Sequence, residues 1–234
     1  MCGRSSLHDA PVNVLERFHL PPVIPGFAPR YNIAPSQEQW TILLGPDGSP
    51  EVRSLKWGLV PSWASDPTVG QKLCNARDDS VAGKPSFQES FRQRRCLILT
   101  DGYYEWQKQG KTRVPLFFHL TGHRAFALAG LWDRWTKGGA PLETCTIITT
   151  EASSRAAIVH HRMPVVLTLD GATEWLSEAT PEHRLMELMA PYEDPDLVCY
   201  EVSRLVNATA NDTAECIVPA ETAPHPEELT LWDM

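Results

Sequence analysis

Many short apolar strands interleaved with a few short helices predict a single α+β domain with a β-rich core. Three observations carry this. Apolar runs of strand length recur at residues 40–44, 52–59, 96–100, 115–120, 125–132, 144–150 and 197–202. Turn-forming residues separate several of them, as in Pro46-Asp47-Gly48-Ser49, Gln109-Gly110-Lys111 and Thr121-Gly122. Finally, 42% hydrophobic and 21% charged residues over 234 positions suit a globular chain that buries a substantial core.

Taken in order, Asp9 is placed to cap a short helix that runs to about Phe18, with Pro11 in its first turn and Val14, Leu15 and Phe18 on one face. Pro21, Pro22, Pro25 and Gly26 then break regularity ahead of Arg30-Tyr31-Asn32-Ile33-Ala34-Pro35. Residues 40–59 read as a hairpin, and Pro61-Ser62-Trp63-Ala64 opens a loop that runs to Gly70. Phe87 and Phe91 give residues 87–95 helical spacing, leading into the apolar strand 96–100 and the strand-like Asp101-Gly102-Tyr103-Tyr104-Glu105-Trp106. Further helices are expected from Ser153 and over residues 172–177 and 181–189. The domain is expected to occupy residues 1–219. Residues 220–234, rich in proline, acid and small side chains, read as a flexible tail that ends in the apolar cluster Glu228-Leu229-Thr230-Leu231-Trp232.

Composition narrows the function. No apolar run approaches the roughly 20 residues of a membrane span, and no signal-peptide pattern opens the chain, so it is expected in the cytosol. Cys2, Cys74, Cys96, Cys145, Cys199 and Cys216 are scattered without a C-x-x-C pair, which argues against a disulfide framework and against a zinc site; no metal or cofactor is expected. A net charge of −8 argues against non-specific coating of nucleic acid. It leaves room for a local basic groove, since Arg77, Lys84, Arg92, Arg94 and Arg95 cluster while excess acid lies toward the C-terminus.

The chemistry-bearing candidates start at Met1-Cys2-Gly3-Arg4. Removal of Met1, expected because the residue it exposes is small, would give Cys2 a free α-amine and a thiol on adjacent carbons. Their ordinary pKa values, about 7.7–8.0 and about 8.5, leave each a reactive fraction near neutrality. Glu105 lies between Tyr104 and Trp106, where desolvation would suit it to acid–base work; the plain alternative is an outward-facing strand residue. His160-His161 offers a proton shuttle beside a surface histidine. Asn75 could bond an α-amine or a backbone group and Arg77 a phosphate, or both could simply cap and solvate a loop.

Together, Met1-Cys2-Gly3-Arg4, Arg30-Tyr31-Asn32-Ile33-Ala34-Pro35, Trp57-Gly58-Leu59-Val60-Pro61-Ser62-Trp63, Asn75-Ala76-Arg77, Asp101-Gly102-Tyr103-Tyr104-Glu105-Trp106 and His160-His161-Arg162-Met163-Pro164 resemble the SRAP family, the SOS-response-associated peptidases. The motifs occur in the family's order from Cys2 to about Ser203. One run departs from the pattern: Cys199-Tyr200-Glu201-Val202-Ser203 stands where a Trp-His-Pro-Val-Ser-like sequence is expected, so any role of that histidine is absent or displaced.

The resemblance implies a single SRAP-like domain with a β-barrel-like core flanked by helices. It implies a DNA-damage function: recognition of abasic sites in single-stranded DNA and covalent linkage through Cys2 as a thiazolidine, with self-directed peptidase and lyase-like chemistry. It implies that Asn75 positions the cysteine and that Glu105 and His160 manage protons. Arg4 and Arg77 become candidates for phosphates, and Trp63 either stacks on a base or fills the core. Two rival classes stand beside this: a thiol peptidase using Cys2 and His160 with Glu105 as orienting group, and a non-covalent single-strand-binding module. The protein is expected to act as a nucleoid-associated monomer, and its apolar tail cluster is a candidate docking peptide for a sliding clamp.

Overall fold

Alternation in the sequence becomes a hairpin first: Ile42 faces Val52 and Trp40 faces Ser54 across antiparallel strands closed by a turn whose Gly48 has φ of 78°. A positive φ of this kind is why glycine ends the turn. The computed structural model describes residues 2–220; residues 221–234, with the apolar tail cluster and the candidate clamp peptide, lie outside the described residues.

In chain order the elements are β1 (Ser5–Leu7), α1 (Val12–Arg17), β2 (Arg30–Ile33), β3 (Glu38–Leu44), β4 (Pro50–Trp57), β5 (Asn75–Arg77), α2 (Gln88–Gln93), β6 (Arg95–Thr100), β7 (Gly102–Gln109), β8 (Thr112–Leu120), β9 (Phe126–Trp135), β10 (Leu142–Glu151), β11 (Arg162–Pro164), β12 (Val166–Leu167), α3 (Leu169–Leu176), α4 (Glu182–Leu188) and β13 (Leu197–Glu201). The expected α+β domain with a barrel-like core is present. β3 pairs with β4 and β6, β6 with β9, and β9 with β10. β10 returns to β4 through the parallel pairs Thr144 with Lys56 and Cys145 with Trp57, which closes the ring. A second sheet, in the order β13-β8-β7-β1-β2, lies beside this barrel. The helices are short and peripheral; α3 seals one side by burying Trp175, whose indole donates to the Cys96 carbonyl at 3.1 Å.

Partner exchange along β10 organises the site. Its first half is a barrel seam between β4 and β9. Past that seam it pairs with β5 on one side, Thr149 facing Arg77, and with β11 on the other, Thr149 facing Pro164. Two motifs far apart in sequence are thereby set on opposite flanks of one strand.

Some expectations shift. Asp9 does not cap the first helix: α1 begins after Pro11 with no side-chain cap, and the Asp9 backbone N–H instead donates to Asp101 at 3.2 Å. The helix expected from Ser153 is a single 3₁₀ turn, Ala156–Ile158. The basic cluster divides, with Arg77, Lys84 and Arg92 exposed and two arginines held by the fold. Arg95 is buried, and its guanidinium donates to the carbonyls of Trp175, Ser177, Phe91 and Arg92, while Arg94 pairs with Asp133 at 3.2 Å. All six cysteines are free thiols. Among the described residues no helix is long and apolar enough to cross a membrane.

Candidate active site

The N-terminal segment enters the second sheet between β2 and β7, with Ser5 opposite Tyr103 on one side and Ile33 on the other. The pairing extends toward Cys2, because the Tyr104 N–H donates to the Arg4 carbonyl at 3.0 Å. Buried Asp101 fixes this entry, accepting from the His8 N–H at 2.5 Å, from the His8 ring at 2.8 Å and from the Ser6 hydroxyl. Burial works against charge on His8, but the hydrogen bond and charge of Asp101 outweigh it, so its pKa rises. From there Cys2 reaches the interior and is fully buried.

Asn75 meets it from the barrel: its Nδ2 donates to the Cys2 carbonyl oxygen at 2.8 Å. Asn75 starts β5, and its approach is set by the Trp57-Gly58 motif. The Trp57 indole is buried and donates to the Cys74 carbonyl at 2.7 Å, pinning the residue before Asn75. Gly58, at φ 128°, lets the loop return across it: a Cβ there would lie 2.7 Å from the Gly70 carbonyl oxygen, and one on Gly70 2.5 Å from that of Gly58. The two glycines therefore permit a backbone crossing no side chain would fit.

Glu105 is buried on β7. Burial pushes its carboxyl above the usual range, so it holds a proton closer to neutrality. The Cys2 thiol is pushed far up, first by burial and then by the negative charge of Glu105, and it stays protonated at neutral pH. His160 arrives on the turn before β11. The Gln107 amide, on the Glu105 face of β7, donates to the Ile158 carbonyl at 3.4 Å and draws that turn over the site. The His160 Nδ1 sits 3.1 Å from the Arg162 backbone N–H, and its ring stacks on His161 at 4.4 Å. Partial burial lowers its pKa, so the imidazole is neutral and able to accept a proton.

Of the sequence candidates, the structure brings Asn75 to the Cys2 carbonyl and Glu105 near its thiol, while His160 lies on the turn that Gln107 holds. Arg77 shares a face of β5 with Asn75 and is exposed, paired with Asp79 at 2.5 Å. Trp63 is on the surface, 55% exposed, and its indole donates to the Pro85 carbonyl at 3.3 Å; it does not fill the core. The Arg4 guanidinium turns away from Cys2. It donates to Asn32 and the Val206 carbonyl, both at 2.6 Å, and lies over the Trp106 ring at 5.6 Å, bordering a cleft of about 330 Å³ with Arg113 and Asn207.

Sequence reasoning missed the supports. Buried Asn32 donates to the Val206, Ala208 and Asn211 carbonyls, and Asp212 accepts from the Tyr31 and Asn32 N–H groups, so the Arg30-Tyr31-Asn32 motif fastens the segment after β13. Arg162, 5% exposed, donates to Asp78 at 2.6 Å and to the Thr149 carbonyl, locking β11 and His160 to β10. The only sequence signal for these was membership of a motif, with no spacing to reveal the partner.

A closed barrel whose second sheet delivers buried Cys2 to Asn75 and Glu105 defines the architectural class. The chain belongs to the SRAP family: the model for SOS response associated peptidase (SRAP) matches residues 1–209. It is 40% identical over 223 residues to the abasic site processing protein YoqW of Bacillus subtilis (strain 168), covering 93% of this chain and 99% of that protein. It is 37% identical over 229 residues to the abasic site processing protein HMCES of Gallus gallus, covering 83% of this chain and 67% of that protein. A solved protein from Bacteroides thetaiotaomicron shares the fold with a TM-score of 0.83 at 24% identity, covering 94% of this chain and 100% of that one. A solved phage-related protein from Bordetella bronchiseptica gives a TM-score of 0.68 at 28% identity, covering 87% of this chain and 95% of that one.

Proposed function

We propose that this protein processes abasic sites in single-stranded DNA by linking to them covalently through Cys2 once Met1 is removed. The observation that carries the reading is the grip of Asn75 on the Cys2 carbonyl at 2.8 Å, which fixes the residue's backbone while Glu105 lies beside its thiol. The names of the relatives point to the same substrate.

The chemistry follows from the groups present. An abasic deoxyribose opens to an aldehyde. The Cys2 α-amine adds to the carbonyl carbon, and His160, neutral, takes the proton that the nitrogen sheds and returns it to the carbonyl oxygen, leaving a hydroxyl on that carbon. Glu105, holding a proton through burial, gives it to the departing hydroxyl, which leaves as water and yields an iminium. The Cys2 thiol then adds to the iminium carbon. The C=N electron pair returns to nitrogen, the thiol proton passes to Glu105, and a five-membered thiazolidine results. One water is lost overall. An internal cysteine could not close this ring, because amine and thiol must sit on adjacent carbons. Self-removal of Met1 is the peptidase activity that fits the site, and reversal of the ring through the imine is its lyase-like counterpart. A general thiol peptidase fits less well, because burial and Glu105 oppose formation of the thiolate nucleophile such an enzyme needs.

The test is incubation with single-stranded DNA bearing one abasic site, followed by a denaturing gel. A shifted band is expected from wild type and none from Cys2→Ala; no band from wild type overturns the proposal. The reading extends to a partner, since Glu228-Leu229-Thr230-Leu231-Trp232 has the character of a clamp-docking peptide. Deletion of the residues after Pro226 is expected to abolish binding to a bacterial sliding clamp, and unchanged binding refutes that extension.

A further inference from the structure

Tyr103 stands among the reacting groups without a role in the scheme above. It lies two residues before Glu105 on β7, so both side chains leave the strand on one face. Register sets it in a continuous row across the second sheet: Ile33 opposite Ser5, Ser5 opposite Tyr103, Tyr103 opposite Phe118, and Phe118 opposite Cys199. Its ring stacks on Phe118 with centroids 4.9 Å apart and planes 5° from parallel, and the side chain is fully buried. The ring is clamped and cannot swing away to another partner. Yet its hydroxyl oxygen is buried and makes no hydrogen bond among the described residues. The titratable groups near enough for their charge to act on it are Cys2, Glu105 and Cys199. Burial, with those groups adding, holds the phenol well above its ordinary range, so it remains a neutral O–H donor wherever the protein is folded.

A buried hydroxyl left unpaired carries a free-energy cost that phenylalanine, of nearly the same shape, would avoid. Such a group is explained if its acceptor exists only during the reaction. Glu105, once it has given its proton to the departing water, is the proton acceptor for ring closure, whereas the Cys2 sulfur is a neutral thiol at rest and gains negative charge only as it loses its proton.

We propose that the Tyr103 hydroxyl is a hydrogen-bond donor to the Cys2 sulfur during ring closure. This rests on the crosslinking reading. As the thiol adds to the iminium carbon, the S–H bond breaks, its proton passes to Glu105 and the S–C bond forms. The C=N electron pair returns to nitrogen. Between loss of the proton and completion of the S–C bond, the sulfur is anionic in a buried setting. A clamped donor that turns to it stabilises charge absent from the ground state, the form of stabilisation that raises a rate rather than an affinity. It acts on ring closure and not on imine formation, because the amine reaction places no charge on sulfur.

The experiment separates the two steps with Tyr103→Phe and single-stranded abasic DNA. Borohydride added at intervals traps the imine; the thiazolidine is the adduct that survives a denaturing gel without borohydride. Imine formation is expected within about twofold of wild type, while conversion to the durable adduct slows by about three- to tenfold, the effect of one neutral hydrogen bond. The pH profile of closure is expected to move upward, since sulfur gives up its proton less readily. Unchanged closure and pH profile, together with a higher melting temperature, would mark the hydroxyl as a mere unpaired group and overturn the proposal. Equal slowing of both steps would show a structural role and overturn it too. Should Tyr103→Phe fail to fold, 3-fluorotyrosine at position 103 keeps the shape and sharpens the donor: faster closure supports the proposal, unchanged closure contradicts it. Wild type forming no adduct at all overturns the crosslinking reading and this one together.

Discussion

Asn75 and Cys2, 73 residues apart in sequence, are joined by one 2.8 Å hydrogen bond from the Asn75 side-chain amide to the Cys2 carbonyl. It ties the N-terminal strand of the second sheet to the strand that flanks the barrel. A nucleophile at a chain end pays a large entropy cost to hold one position. Burial of Cys2, the strand pairing of β1 and this bond together reduce the motion left to its amine.

Asn75→Ala removes the bond while leaving β5 paired. We expect a stability loss of only about 1 kcal/mol, the net worth of one hydrogen bond, against a fall of about tenfold or more in adduct formation, because position governs rate more steeply than stability. Thermal melts and gel kinetics on the same sample check the contrast.

Glu105→Gln tests the buried carboxyl through pH. The folded protein raises this group's pKa, so its stabilising contribution is complete below the unfolded value, about 4.3, and is lost as pH rises through the folded value. The variant cannot ionise and escapes that loss. Its melting temperature relative to wild type is expected to rise across that window and stay constant above it, while adduct formation falls by about a hundredfold.

The fold was legible where strands were long. The runs at 40–44, 96–100 and 144–150 lie within β3, β6 and β10, because an apolar run of five or more residues is a local signal. β1, β2, β5, β11 and β12 have two to four residues each and carry no period of their own; they are strands only because a longer neighbour supplies the ladder. Asn75 and Arg77 lie on one of these short strands, so their sequence left loop capping open as an alternative. Helix capping failed for a similar reason: the Asp9 N–H is claimed by Asp101, which is 92 residues away. Cys2, Asn75, Glu105 and His160 were nominated by motif order, whereas Tyr103 and Asp78 needed the packing.

Asp101→Asn probes the entry of the N-terminal strand. The carboxylate accepts from Ser6, His8 and Asp9 at once, and an amide cannot serve all of them. A loss of about 2–3 kcal/mol is expected in denaturant unfolding, with adduct formation reduced although Cys2 and its partners are intact.

Trp63→Ala and Arg77→Ala address the DNA surface. Trp63 is 55% exposed, so its removal should leave stability unchanged while weakening single-strand binding by about 1–3 kcal/mol if a base stacks on it. Arg77→Ala should lower the salt dependence of binding by the slope of one phosphate contact, about 0.7 in log–log terms. Fluorescence anisotropy over a salt series measures both.

The central claim is that Cys2 reacts through amine and thiol together. Intact-mass and peptide mass spectrometry of the purified adduct test it most directly. The predicted result is DNA attached to a peptide that begins at Cys2, lacks Met1, equals the sum of its parts less one water, and gains no hydrogen on borohydride treatment. An adduct with Met1 retained, on any other residue, or heavier by two hydrogens after borohydride would contradict it.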